Sequence, residues 1–159
     1  MNAASLRRQM KNGAYNFHWI AGLSLANSIY FVLTKNYGFV VGLGVTQFLD
    51  IIFHNLAQSF PNSVLFIQSS GLLLDVFICG VFILCGVLAA KGHRLAFIAG
   101  MVLYGLDAIL TLVSPDFIGF GFHLFFLWFL FSGLQALNRL KEILPESASN
   151  TVFPKNIGK

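Results

Sequence analysis

Residues 38–60, GFVVGLGVTQFLDIIFHNLAQSF, decide how this chain is assembled. A helix needs about 20 apolar residues to cross a bilayer, and this stretch is long enough. Yet Gln47, Asp50, His54 and Gln58 recur at spacings that put them on one helical face. Phe48, Leu49, Ile52, Phe53 and Leu56 fill the other faces. The pattern predicts an amphipathic helix that lies in the membrane interface, or re-enters the membrane, with its apolar side in lipid. The alternative is a fifth spanning helix whose polar stripe turns into a bundle.

Charge discriminates between the two. Four other stretches, 14–34, 64–90, 95–114 and 117–140, are hydrophobic enough to span. Arg7, Arg8 and Lys11 precede the first of them, Lys91, His93 and Arg94 separate 64–90 from 95–114, and Arg139 and Lys141 close the last. Cytoplasmic loops collect Lys and Arg. With 38–60 not crossing, all three clusters fall on the cytoplasmic side and only Lys35 is left outside. With 38–60 crossing, Lys91 and Arg94 move outside. The expectation is therefore an all-α, multi-pass integral membrane protein: four transmembrane helices, one amphipathic helix, and both termini cytoplasmic. Pro145 ends the last helix, and 141–159 reads as a polar tail. The basic N-terminus followed by an apolar run, with Ser24-Leu25-Ala26, has the outline of a cleavable leader. It is read here as a retained first helix.

Composition agrees. The 159 residues are 57% hydrophobic and 10% charged, with mean hydropathy +0.76. Soluble domains carry about 25% charged residues, and a single small domain has too much surface to hide this much apolar side chain. The net charge of +4 comes from basic residues at segment ends, which is a topology signal and not a nucleic-acid footprint. Cys79 and Cys85 share no helical face and fit neither a metal knuckle nor a disulfide framework.

The informative residues are the ionisable ones inside apolar stretches, because each is costly unless satisfied. They are Asp50, Asp75 and Asp107, with His54 and His123 as candidate partners; His18 belongs near the cytoplasmic end beside Trp19. Asp75 lies on a stripe of Gln68, Gly71, Cys79 and Gly86, and Asp107 on a stripe of Gly100, Tyr104, Thr111 and Ser114. Small and polar residues mark helix contacts in membranes, so both aspartates are expected to face neighbouring helices, as is the patch Ser24, Asn27 and Ser28. On the fifth stretch Gly121, Phe125, Trp128, Ser132 and Gln135 form the small and polar side, and His123 points away from it with Leu127 and Leu130.

In the four-crossing topology these groups fall in the outer half, where they would converge on one outward-facing site. Carboxylates and imidazoles ligate divalent metals, and Asp50 with His54 has the spacing that lets two ligands share an ion. Asp50, His54, Asp75, Asp107 and His123 are thus the candidate metal or cation residues, with Asn27, Gln47 and Tyr104 as supporting polar groups. The plainer reading makes Asp75 and Asp107 neutral carboxyls bonded to Tyr104, Asn27 or a serine. A buried histidine also ligates porphyrin-type pigments, but nothing else specifies one, and the cofactor is left open. P-loop, GxSxG, HExxH and CxxC motifs are absent from the sequence.

The leading expectation is a small, non-catalytic membrane subunit. Phe120, Phe122, Phe125, Phe126, Phe129 and Phe131 would pack on partner helices, a second copy or lipid. The alternative is a cation- or proton-handling protein using the Asp/His residues, and the third reading is a metal-dependent membrane hydrolase using the same ones.

Overall fold

A computed structural model describes residues 2–34, 42–113 and 117–144. Helix α1 spans Ala3–Thr34, α2 Gly44–Ser59, α3 Val64–Ala90, α4 Arg94–Val113 and α5 Phe117–Ile143, with a 3₁₀ turn at Pro61–Ser63 leading into α3. Among the described residues, α1, α3 (with the preceding turn), α4 and α5 are long and apolar enough to cross a membrane, and α2 is shorter. This is the expected all-α architecture of four such helices plus one.

The outward surface supports a lipid environment. Leu65, Leu95 and Phe117 are 84%, 80% and 78% exposed, and water would not tolerate a continuous apolar skin of this kind. Polar groups turn inward: Ser24, Ser28, Thr46, Asp75 and His123 are all at most 1% exposed.

α1 begins well before the apolar stretch. Asn2 caps it, accepting the Ser5 N–H at 2.9 Å. The three basic residues of the N-terminus therefore sit on the first turns of a helix of 32 residues. That is ~48 Å at 1.5 Å per residue, more than the ~30 Å hydrocarbon core requires.

α1, α3, α4 and α5 form a closed ring in which α1 packs chiefly on α3 and α5, and α4 bridges α3 and α5. Small residues set the approach. A Cβ on Gly13 would fall 2.5 Å from the Gly133 Cα, so α1 and α5 cross backbone to backbone. Gly86 of α3 and Gly100 of α4 accommodate Phe17 from α1. These contacts bring the start of α1, the α3–α4 turn and the end of α5 to one end of the bundle, so Arg7, Arg8, Lys11, Lys91, Arg94, Arg139 and Lys141 share that end.

α2 is the exception to the ring. Its first residues lie beside Ser24, well short of the end of α1 at Thr34, and it runs outward along α3, with contacts to α1 and α4. It is the shortest of the five α-helices and lies along the bundle. Thr46, Asp50 and Ala57 are buried against the bundle, while Phe48, Ile52 and Leu56 are exposed. Of the polar stripe, Asp50 rests on protein, Gln47 and His54 are half-buried and Gln58 is exposed, while much of the apolar side faces outward. Residues 38–41 of the expected amphipathic segment lie outside the described residues, as do Ser114 of the Asp107 stripe and the 145–159 part of the tail.

Candidate functional site

Two groups of polar side chains occupy the interior, and the helices place them at different levels. The first is centred on Asp107. The Gly100, Tyr104, Asp107 and Thr111 face of α4 turns inward as its spacing requires, and all four residues are buried. Asp107 Oδ1 accepts the Val45 N–H at 2.7 Å, and Oδ2 accepts the Gly44 N–H at 2.9 Å. The Leu43 N–H donates to Ser24 Oγ at 2.7 Å, and that hydroxyl donates to the Ile20 carbonyl at 2.7 Å.

Three consecutive backbone N–H groups at the start of α2 are thereby satisfied by side chains of α1 and α4. These are groups that helix geometry leaves without intrahelical partners. Within an apolar bundle they need an acceptor, and a carboxyl also complements the positive end of the helix dipole. Glycine is needed at this entry: a Cβ on Gly44 would meet Thr111 Cγ2 at 2.7 Å, and one on Gly42 would meet Ser24 Cα at 3.0 Å.

His123 completes this group. Its Nδ1 lies 2.8 Å from the Gly119 carbonyl and its Nε2 lies 2.8 Å from Asp107 Oδ2. A carbonyl only accepts, so Nδ1 carries a hydrogen and donates. The Nε2 contact then needs a proton as well, carried by the imidazole or by the carboxyl. Either way the pair is neutral overall and every contact has a donor and an acceptor. Tyr104 stacks on the imidazole with ring centroids 4.6 Å apart, and Phe82 and Phe126 enclose Tyr104 edge-on.

The expected division of α5 holds for His123 and Leu130, but theirs is the side that faces the bundle, not the small and polar one. Gly119, His123, Phe126, Leu130 and Gly133 face the bundle, while Gly121, Phe125, Trp128 and Gln135 face outward. His123 occupies the helix–helix face because that face was set by Gly133 against Gly13, not by the number of polar residues. Ser132 is partly covered and accepts a hydrogen bond from Gln9 Nε2 of α1 at 2.8 Å.

The second group is centred on Asp75 of α3, which is 0% exposed. Its polar neighbours are Asp50 of α2 and the Ser28 hydroxyl of α1. Neither Asp75 oxygen makes a hydrogen bond, and Ser28 Oγ, also 0% exposed, faces the carboxyl without closing a well-formed one. His54, one turn beyond Asp50, contacts Gln58 Nε2 through its Nε2 at 3.0 Å and packs edge-on against Phe31. A small space of about 10 Å³ opens among Asp50, His54, Gln68 and their apolar neighbours.

The five residues singled out in the sequence therefore do not gather around one point. Asp107 pairs with His123, and Asp50 with Asp75, His54 lying next to Asp50. Among the described residues no three His, Cys, Asp or Glu side chains are grouped to hold one metal ion. Tyr104 supports the first group by stacking. Asn27 is buried on the same face of α1 as the serines, and Gln47 is half-buried. His18 lies toward the basic end, against Gly86 and Tyr15.

An apolar cavity of about 450 Å³ lies between α3 and α4. It is lined by Leu43, Phe82, Leu103, Leu106 and other aliphatic side chains, with Asp107 as its polar member. No family model matches the chain, and neither a curated protein nor a solved structure is similar to it.

Proposed function

We propose that this chain handles protons or small cations within the membrane, and that Asp50 and Asp75 form the site. The observation that carries this reading is Asp75: a fully buried carboxyl, with both oxygens outside any hydrogen bond and a second carboxyl beside it. Lysine and arginine, apart from Lys35, are confined to positions up to 11, 91–94 and from 139 onward. Among the described residues, lysine and arginine therefore keep to the ends of the spanning helices. A fully buried carboxylate with a second carboxyl beside it is costly while charged, and a mobile proton or cation relieves that cost. Intramembrane acids facing a bundle interior are typical of ion and proton pathways.

The Asp107–His123 group has the opposite character. It is fully bonded and holds the α2 entry, so its role is to position α2. The accessory-subunit reading draws on the outer phenylalanines, which lipid would cover equally well, and it assigns no role to Asp75. For the hydrolase reading, no third ligand joins either pair among the described residues. The single basic end of the bundle supports a cytoplasmic location for both termini, by the positive-inside rule. In that orientation Asp50, Asp75 and His54 lie toward the outer side, as an outward-facing site requires.

The test is flux. Purified protein in liposomes carrying a pH-sensitive dye should collapse an imposed proton or sodium gradient faster than empty liposomes. Asp75→Asn should remove the difference. Equal rates for protein-containing and empty liposomes under both gradients would end the reading.

A further inference from the structure

We propose that the cavity between α3 and α4 takes an uncharged, lipid-soluble alcohol from the bilayer, with its hydroxyl donating to Asp107 Oδ1. This site is separate from the Asp50–Asp75 pair and does not depend on the ion-handling reading.

The cavity of about 450 Å³ falls within the ~300–1,000 Å³ of small-molecule sites, which combine an apolar lining with a few polar groups. α2 contributes Leu43 and Val45, α3 contributes Val81, and α4 contributes Leu103 and Leu110 with Asp107 between them. Leu103 and Leu106, also in the lining, are 44% and 60% exposed, so the cavity opens sideways on the surface that lipid covers. An apolar lining selects nothing there, because lipid tails are as apolar as leucine. Selection falls to the polar group, and among the described residues lining the cavity Asp107 alone has a polar side chain.

Asp107 can serve one more donor. A carboxylate offers about four lone-pair sites. Oδ2 meets the Gly44 N–H and His123 Nε2, whereas Oδ1 accepts from Val45 alone. If the shared proton sits on Oδ2 instead of the imidazole, Oδ1 still keeps one accepting site. The carboxyl is 6% exposed, while the imidazole is 1% exposed.

Charge and depth restrict the guest. The Asp107–His123 pair is neutral as it stands, so a cation would bring an unbalanced charge into an apolar interior and an anion would face a carboxyl. A neutral donor is left. Asp107 lies 13 residues beyond Arg94 on α4, or ~20 Å along the axis. A phosphate headgroup would lose its hydration to reach that depth, whereas a lone hydroxyl loses little and regains a hydrogen bond. Leu103 and Leu110 are seven residues apart, or ~10 Å, so the apolar body is a ring system or a medium-length chain.

The experiment is photolabelling of the full chain in phosphatidylcholine nanodiscs with a diazirine-bearing octanol, mapped by mass spectrometry. Labelling should saturate and fall on the lining segments of α3 and α4. At matched concentrations in the bilayer, 1-octanol should displace the label at about 5- to 30-fold lower concentration than octyl methyl ether, the range of one hydrogen bond between membrane-buried groups. A cyclic terpene alcohol and its methyl ether form a second arm, and the stronger of the two alcohols assigns the site to chains or rings. Val81→Trp and Leu110→Phe fill the cavity from α3 and α4. Each variant that still unfolds cooperatively should lose the saturable label. Label spread without saturation over outward residues such as Leu65 and Leu95 overturns the proposal. So does equal displacement by alcohol and ether in both arms, or saturable label retained in either folded variant.

Discussion

Replacing Asp107 with asparagine separates a structural role for this carboxyl from an ion-handling one. Its two oxygens accept the Gly44 and Val45 N–H groups, and one also meets His123 Nε2. Asparagine keeps the shape but only one accepting oxygen. The best arrangement leaves that oxygen on Val45 and lets the amide donate to Nε2 of a neutral His123, whose Nδ1–H still serves Gly119. Gly44 N–H then faces a donor. One buried N–H without an acceptor costs ~1–3 kcal/mol. Asp107→Ala strands both N–H groups and His123 Nε2, so it should cost at least twice as much. The assay is amide hydrogen exchange in micelles, read at Gly44 and Val45. In Asp107→Asn the Gly44 amide should exchange about 5- to 150-fold faster, the same energy expressed as a local opening constant. Val45 should change less. In Asp107→Ala both should lose protection. Unchanged protection of Gly44 in both variants would refute the account of α2 as a helix held at its N-terminus by α4.

Other parts of the bundle make independent predictions. Gly133→Ala puts a methyl 2.8 Å from the Gly13 Cα and 3.1 Å from the Phe97 ring; with backbone on one side it should cost ~1–3 kcal/mol in a denaturant titration. Gly22→Ala meets nothing within 4 Å and should leave stability unchanged or raise it by ~1 kcal/mol or less. Ser24→Ala removes the acceptor of the Leu43 N–H and should speed exchange at Leu43 while leaving Gly44 protected. For topology, Ser5→Cys, Ser63→Cys and His93→Cys place exposed thiols at the two ends of the bundle. In intact cells a membrane-impermeant maleimide should label only Ser63→Cys; labelling confined to the other two would invert the orientation.

Much of this architecture was legible in the sequence. The stripes carrying Asp75 and Asp107 pointed inward as their spacing implied, because in a membrane the helix–helix face must hold the small and polar residues. On α2 the spacing of Gln47, Asp50, His54 and Gln58 marked one face, of which Asp50 is buried, Gln47 and His54 are half-buried and Gln58 is exposed. What periodicity does not contain is the identity of the opposing surface. The acceptors for Gly44 and Val45 lie 63 and 62 residues away, and no local pattern marks them. The signal was present in another form: Gly42 and Gly44 are the positions where the entry passes against Ser24 and Thr111. The sequence separated His123 and Leu130 from Gly121, Phe125, Trp128 and Gln135 as the structure does, but it did not show which side faces the bundle. Gly121 and Gln135 resemble contact residues by type, but a glycine with nothing nearby is only an absent side chain. The same limit produced the expectation of one converged Asp/His site. Topology put all five residues in the same half of the bundle, and only packing divides them between the α2 entry and the Asp50–Asp75 pair.

That division implies coupling between the two groups. α2 is a continuous helix in which Gly44, held by Asp107, and Asp50, beside Asp75, are six residues apart, or ~9 Å along its axis. A helix that short transmits displacement of its N-terminus to Asp50 with little loss, and the ion-handling reading depends on where the Asp50 carboxyl sits. Asp107→Asn should therefore slow the gradient collapse in liposomes, although Asp107 is not one of the two site carboxyls. Against an Asp75→Asn background, where there is no flux to lose, Asp107→Asn should show only its structural cost. Residues coupled through a shared element depart from additivity by ~0.5–3 kcal/mol, whereas independent sites add. If flux in Asp107→Asn equals that of the parent while Gly44 loses protection, the N-terminus of α2 moves without disturbing Asp50. The Asp107–His123 pair would then be a fastening for one helix end, with no part in setting the ion site.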